Sequence, residues 1–244
     1  MAHLIDELNL PKITLLHHTS LDIASTAIRT CWNSHDKSDK GGDIDKELIL
    51  RVGNKNKHAS TLEHLNYTFY IKGVSRALLQ ELARHRHASL SVKSSRYTLK
   101  ELRRIDDFDN EHLGRLFQLF MDDLDLMDKS KDDIFTPLIY HLGTISQYIY
   151  ISKNELVFRQ QLLALCALQK LIKLNLPNDE VKYILPECYK TELTYSINAR
   201  ALQQLIYLRT GSNVLPEFRT LVKSLYNVLP SQQQYLFTEF IQGD

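Results

Sequence analysis

Arg84-His85-Arg86-His87-Ala88-Ser89-Leu90-Ser91-Val92-Lys93-Ser94-Ser95-Arg96-Tyr97 carries four permanent cations, two histidines and four serine hydroxyls. No Asp or Glu stands between Leu82 and Lys100. Guanidinium forks at Arg84, Arg86 and Arg96 match phosphate bidentately. The serines add neutral donors for phosphate oxygens or for a carbonyl of a bound base. Just before this run, Gly73 to Ala83 reads as a helix, with Val74, Leu78 and Leu82 recurring every four residues. Arg84, His85 and Arg86 then fall in its last turn, where cations favour the carbonyl end of the helix dipole. Capping explains one or two of these charges, but neither the serine-rich continuation nor Arg96. A small-anion site is the better reading, and a charged helix end is the alternative.

The rest of the chain keeps that site local. In 244 residues, Lys+Arg is 30 and Asp+Glu is 29, so the cations are focused rather than spread over a face as in nucleic-acid binders. A hydrophobic content of 43% and a charged content of 24% suit an ordinary globular core. Cys31, Cys166 and Cys188 are too few and too scattered for a disulfide framework. Met1 to Pro11 has acids and no apolar centre, unlike a signal peptide. No apolar run approaches the ~20 residues needed to span a bilayer. The expectation is a cytoplasmic protein with no membrane segment, built as one domain over residues 1–244.

Both periodicities occur. Lys12 to His18 reads as a strand, and Ser20 as the N-cap of a helix through Trp32 with Ile23, Ala24, Ala27 and Ile28 inward. Asn33 to Gly42 is a polar loop, and Asp43 to Val52 a short helix closed by Gly53. Leu65, Tyr67, Phe69 and Ile71 alternate with polar residues as a half-buried strand ended by Gly73. After Lys100 the pattern turns helical: one helix at Leu113 to Leu124, one from Pro137 to Ile151, and a very apolar one from Leu156 to Leu171, serving as core or interface. The Asp-rich run 122–133 reads as a solvated surface, with metal binding second. A short segment begins at Pro177 and stops before Pro186. Leu193, Tyr195 and Ile197 mark a strand, Ala199 to Thr210 a helix ended by Gly211, and Pro216 to Val228 another, with a short tail helix after Pro230. The fold class is α+β, a small antiparallel β-sheet flanked by many helices.

Three motifs in order carry a resemblance. Arg84-His85-Arg86, seven residues and then Ser94 resembles the signature of flavin-dependent thymidylate synthases, and Ser95-Arg96-Tyr97 extends it. His58-Ala59-Ser60-Thr61-Leu62-Glu63-His64 is similar to that family's segment just upstream. Asn198-Ala199-Arg200, with Arg209 at the far end of the same helix, resembles its C-terminal motif. The resemblance covers roughly residues 13–100 and 178–240; a helical segment at about 103–153 matches nothing in it.

The resemblance implies a thymidylate synthase complementing protein-like fold, a homotetramer, and reductive methylation of dUMP to dTMP. Methylenetetrahydrofolate would supply the carbon, FAD would carry the hydride and NADPH would be the reductant, with no metal. It assigns Arg84, His85, Arg86, Ser60, Asn198, Arg200 and Gln204 to FAD, and His58 to the neighbourhood of the flavin. Arg84, Lys93, Ser94, Ser95, Arg96, Lys182 and Arg209 fall to dUMP. Ser94 would donate to the base, and Arg209 would favour the N3-ionised uracil. Two positions depart from the family pattern. Glu81 stands where Gln is usual and is counted with the substrate residues, pairing with an Arg or meeting the base at N3–H; Val92 stands where an acid is common. Cysteine-dependent thymidylate synthesis attacks C6 with a thiolate. Cys188 lacks an adjacent His and sits beside Glu187, which disfavours a thiolate, and it reads as structural. Outside the family match, His58 and His64 would be ordinary core polar residues. The rival function is a binder of RNA or single-stranded DNA, with phosphates on 84–97 and stacking on Tyr97.

Overall fold

The structure, a computed structural model, describes residues 1–104, 139 and 141–241. Its contacts separate into two compact units. One contains Met1–Leu10, Gly73–Leu79 and Val92–Thr191; the other contains Pro11–Lys72, Gln80–Ser91 and the chain from Glu192 onward.

The second unit is organised on a four-stranded antiparallel sheet of β1 (Lys12–His18), β2 (Asn66–Ser75), β3 (Ala88–Val92) and β4 (Lys190–Asn198), in the order β1-β2-β4-β3. β1 (Lys12–His18) lies antiparallel to β2 (Asn66–Ser75), with Ile13 opposite Ile71 and His18 opposite Tyr67. Leu16 is the extra residue of a bulge between Leu15 and His17, so this leucine faces outward, 56% exposed. Tyr67, Phe69 and Ile71 of β2 are fully buried, and Leu193, Tyr195 and Ile197 of β4 (Lys190–Asn198) alternate with half-buried polar residues. The period of two therefore marks both inner strands.

Three boundaries differ from the sequence reading. Gly73 does not end β2; at φ +87 it resets the alternation, so that Val74 and Ser75 are both buried, and the helix starts at Arg76. That helix stops at Leu82, so Arg84 to Arg86 follow it rather than forming its last turn. A strand that the sequence reading missed, β3 (Ala88–Val92), comes next at the sheet edge. Its signal is the alternation of Ala88, Leu90 and Val92 with two serines, masked by the small polar partners.

Helix Leu21–Thr30 buries Leu21, Ala24 and Ile28 but leaves Ile23 47% exposed. The inward face instead takes in Ser25 and Arg29, because both bind Asp45 of helix Asp43–Ile49. Gly53 does not close that helix. It lies inside a wide π turn, Leu50–Lys55, where an added Cβ would stand 2.8 Å from Leu62 Cδ2.

The first unit has its own apolar core around helix Glu155–Lys173, whose N-terminus is capped by Asn154 Oδ1 accepting from Val157 N–H at 3.1 Å. Phe158, Leu162, Leu165, Leu168 and Ile172 form its buried stripe, so this helix is a core helix of its unit. The helix expected from Pro137 through Ile151 is, in its described part, only Leu142–Ile145. Beyond it Ile149 bridges to Tyr189, and Asn9 holds the peptide of Ile151 from both sides, at 2.8 and 2.9 Å, which draws the backbone out of helical form. The expected helix at 113–124 and the Asp-rich run 122–133 lie outside the described residues. Among the described residues, no helix is long and apolar enough to cross a membrane.

Candidate active site

The second unit holds a groove of about 550 Å³. One wall is the turn and linker after helix Arg76–Leu82, where Arg84 N–H bonds Glu81 O and His85 N–H bonds Leu82 O. Arg84, His85, Arg86 and His87 line this side. The other wall is Ile197 of β4 and one face of helix Ala199–Arg209, with Ala201, Gln204 and Leu208 in i, i+3 and i+4 succession and Arg209 beside them. Asn198 makes this corner. Its Oδ1 caps the helix by accepting from Ala201 N–H at 2.8 Å, so the strand passes directly into the helix.

Arg84 and Arg86 are exposed, and among the described residues neither side chain has an ion pair or hydrogen bond. Two unpaired guanidinium groups facing one groove are an anion site in waiting. Ile197, Ala201 and Leu208 add apolar lining. Cations for a diphosphate, an apolar wall for a ring system and a volume in the range of ligand sites suit FAD.

Arg209 is held differently. Its Nε–H donates to His85 Nε2 at 3.1 Å, its Nη1–H donates to Glu81 Oε2 at 2.9 Å, and the guanidinium lies 4.6 Å from the centre of the buried Phe218 ring. Of the two partners open to Glu81 in the sequence reading, an arginine or the base, the structure provides the arginine. Burial, then the Arg209 charge, push the His85 pKa below its ordinary value, with the Glu81 carboxylate opposing them. Phe218 carries no sequence signal for this role beyond its place at the start of the Pro216 helix.

The other family-assigned residues fall into two groups. His58 and Ser60 are exposed at the 3₁₀ turn Ala59–His64, in the same unit as the groove, and Arg200 pairs with Glu63 of that turn at 2.7 Å. In the first unit, Lys93 pairs with Glu101 at 2.7 Å. There Ser94 and Ser95 begin the helix Ser95–Thr98, and Arg96 grips Asp179 through Nε and Nη2 at 2.5 and 3.0 Å. The hydrogen bond from Arg96, with its charge and that of Lys182, holds the Asp179 carboxyl below the usual range. Lys182 itself lies 5.3 Å from the centre of the Tyr183 ring. Cys188 is half-buried, and burial pushes the Cys166 thiol up to about 12, with Lys170 opposing, so Cys166 does not resemble an activated nucleophile.

The family model described as thymidylate synthase complementing protein matches residues 14–231. The chain belongs to that family. The flavin-dependent thymidylate synthase of Wolinella succinogenes is 50% identical over 225 residues, covering 92% of this chain and 96% of that protein. That of Campylobacter jejuni strain RM1221 is 46% identical over 238 residues, covering 96% and 99%. The crystal structure of thymidylate synthase X from Helicobacter pylori with FAD and dUMP is similar at a TM-score of 0.78 and 45% identity, covering 95% of this chain and all of that one. The family resemblance read from the Arg84-His85-Arg86 signature is thus correct, and so is the α+β class with one small sheet among many helices.

Proposed function

We propose that the protein is a flavin-dependent thymidylate synthase. Carbon C5 of dUMP loses a proton and gains the methylene carbon of methylenetetrahydrofolate. A hydride originating from NADPH completes the methyl group, and the C5 proton with one more from solvent goes to the folate nitrogens, leaving dTMP, tetrahydrofolate and NADP⁺. FAD held at the site, once reduced by NADPH, would deliver that hydride at the pyrimidine. The observation that carries this reading is the groove in which Arg84 and Arg86, unpaired among the described residues, stand opposite helix Ala199–Arg209.

The chain's own residues bind, orient and polarise. Arg84, His85 and Arg86, with Ser60, Asn198, Arg200 and Gln204, hold the cofactor, and His58 stands near the flavin. Arg84, Lys93, Ser95, Arg96 and Lys182 hold dUMP. Ser94 donates to a uracil carbonyl, and Arg209 stabilises negative charge on the ring as N3 is deprotonated or C5 becomes nucleophilic. No thiolate is needed. In this reading residues 1–244 work as one enzyme domain, assembled as a homotetramer in the cytoplasm.

The test is the absorbance spectrum of the purified protein with and without dUMP, followed by dTMP formation in the presence of NADPH and methylenetetrahydrofolate. A flavin spectrum that responds to dUMP, with turnover, is expected. A colourless protein that binds oligonucleotides with a steep salt dependence would overturn it in favour of nucleic-acid binding. Arg86→Ala should fold and bind little FAD. Ser94→Ala should slow turnover by on the order of 10²–10³ while keeping much of its dUMP affinity.

A further inference from the structure

A guanidinium has five N–H donors and two faces. In Arg209, Nε–H goes to His85 Nε2, one Nη1–H goes to Glu81 Oε2, and one face rests on Phe218. Phe218 is fully buried, and His85 meets the same ring edge-on at 5.9 Å and 86°. Three sides of the cation are therefore fixed by a carboxylate, an imidazole and a core aromatic. The second Nη1–H and both Nη2–H atoms remain, on a side chain 24% exposed at the groove.

We propose that Glu81 and His85 are positioning residues that aim Arg209, and that the aim holds only while His85 is neutral with its proton on Nδ1. The proposal rests on the reading of Arg209 as the cation facing the pyrimidine. An Arg side chain carries about 2 kcal/mol of rotamer entropy. A clamp formed before the substrate arrives has already met that cost, which is the basis of electrostatic preorganisation. Glu81 also tempers the charge. A carboxylate beside Arg209 is a weaker match for a dianionic nucleotide than a neutral amide would be, so its contribution is geometric.

The tautomer follows from donor count. Arg209 Nε can only donate, so His85 Nε2 must accept, and a neutral ring then carries its proton on Nδ1. A second proton would set donor against donor and cation against cation. The charged and titratable groups around the ring include Arg209 from helix Ala199–Arg209, Glu81 from helix Arg76–Leu82, and Arg84, Arg86 and His87 along the same wall, while helix Pro216–Asn227 brings Phe218 to the ring with Glu217 and Arg219 on either side of it in sequence. Burial, then the Arg209 charge, favour the neutral ring and Glu81 opposes them, consistent with the depressed pKa of His85. As pH falls through that pKa, the ring gains a proton, Nε of Arg209 loses its acceptor, and the guanidinium is freed to swing away.

Long-range ¹H–¹⁵N spectra of histidine-labelled protein without dUMP, taken across the neutral and acid range, read the tautomer directly. The neutral Nδ1–H form is expected at pH 8, titrating below the ordinary 6.5. Glu81→Gln removes the one group that raises the pKa, so its His85 titration and the acid limb of its kcat/KM should both move to lower pH. Glu81→Ala should lower kcat by about 10²-fold through misaiming, with a smaller change in KM for dUMP, and Glu81→Gln should recover most of that loss by keeping an acceptor. His85 protonated on Nε2 or cationic at pH 8, or equal losses in the two Glu81 variants, would overturn the proposal. If the unaltered protein forms no dTMP, the enzymatic reading fails, and the tautomer spectrum still decides the clamp.

Discussion

Removing the charge of Asp45 should unfold the second unit far more readily than its distance from the groove suggests. Asp45 is completely buried and its partner Arg29 is 5% exposed at the side chain. Oδ1 accepts from Arg29 Nε and Nη2 at 3.0 and 2.6 Å; Oδ2 accepts from Ser25 Oγ, Ser38 Oγ and Gly41 N–H at 2.9, 2.7 and 2.9 Å. In Asp45→Asn one of those oxygens becomes an NH₂ that faces either the guanidinium or the Gly41 N–H. Ser25 can fall back on the carbonyl of Asp22, 3.0 Å away, so its loss is small. With the NH₂ on the Gly41 side Arg29 keeps a neutral amide oxygen and the Ser34 carbonyl at 3.2 Å, and in either orientation its buried charge goes uncompensated. That term decides the size of the effect, and breaking one side of a buried pair costs about 3–5 kcal/mol. Typical domain stability is only ~5–15 kcal/mol. Urea unfolding at pH 7 followed by circular dichroism should show this loss for Asp45→Asn. The double variant Asp45→Leu with Arg29→Met, which leaves no orphan charge, should recover at least half of it.

The pH dependence carries a sign that can be checked in the same experiment. Burial alone would raise the Asp45 pKa, but the bonds from Ser38, Gly41, Arg29 and Ser25 outweigh it and hold it at about 2, below the unfolded value of 3.8. A depressed carboxyl stabilises the fold above pH 3.8, and that contribution is lost as pH falls from there towards 2. At ~1.4 kcal/mol per pH unit the contribution is about 2 kcal/mol. Asp45→Asn should lack that part of the acid transition. A loss below ~1 kcal/mol at pH 7, or a double variant as unstable as the single one, would refute the reasoning.

Three further outcomes are expected. Gly53→Ala should lower stability by roughly 1–3 kcal/mol in thermal melts, because its Cβ would press on Leu62 Cδ2 and Cγ at 2.8 and 2.9 Å; an unchanged melting temperature would show that Leu62 yields. Cys188→Ser should retain dTMP formation, since its chain neighbours Glu187 and Tyr189 do not activate a thiol; a loss of several orders of magnitude in folded protein would restore a cysteine mechanism. Arg96→Ala should chiefly weaken dUMP binding in calorimetry. Asp179→Ala should weaken it less, because the carboxylate occupies the Nε–Nη2 edge of Arg96 and leaves the Nη1 side for a phosphate; equal losses in the two variants would contradict that division.

By itself the sequence determined the class and the chemistry. Alternation at 67, 69 and 71 and at 193, 195 and 197 is written in residue type, because a strand with one covered face needs an apolar group at every second position. The apolar stripe from Phe158 to Ile172 is likewise a local pattern. Charge focused at Arg84, His85 and Arg86 is legible because no Asp or Glu stands between Leu82 and Lys100. What only the tertiary structure decided is which distant partners meet. Gly73 reads as a stop, but the strand continues through it, since pairing within the sheet outweighs the backbone freedom of one glycine. Ile23 faces water because Ser25 and Arg29 are drawn inward by Asp45, a partner up to twenty residues away. Edge strand β3 shows little period in the sequence because Ala88, Leu90 and Val92 alternate with two small serines and Val92 is itself exposed, so the contrast between its two faces is small. The aim of Arg209 depends on Glu81 and His85, 128 and 124 residues away, and on Phe218 of the following helix. Side-chain geometry across such separations comes from packing, and no local spacing encodes it.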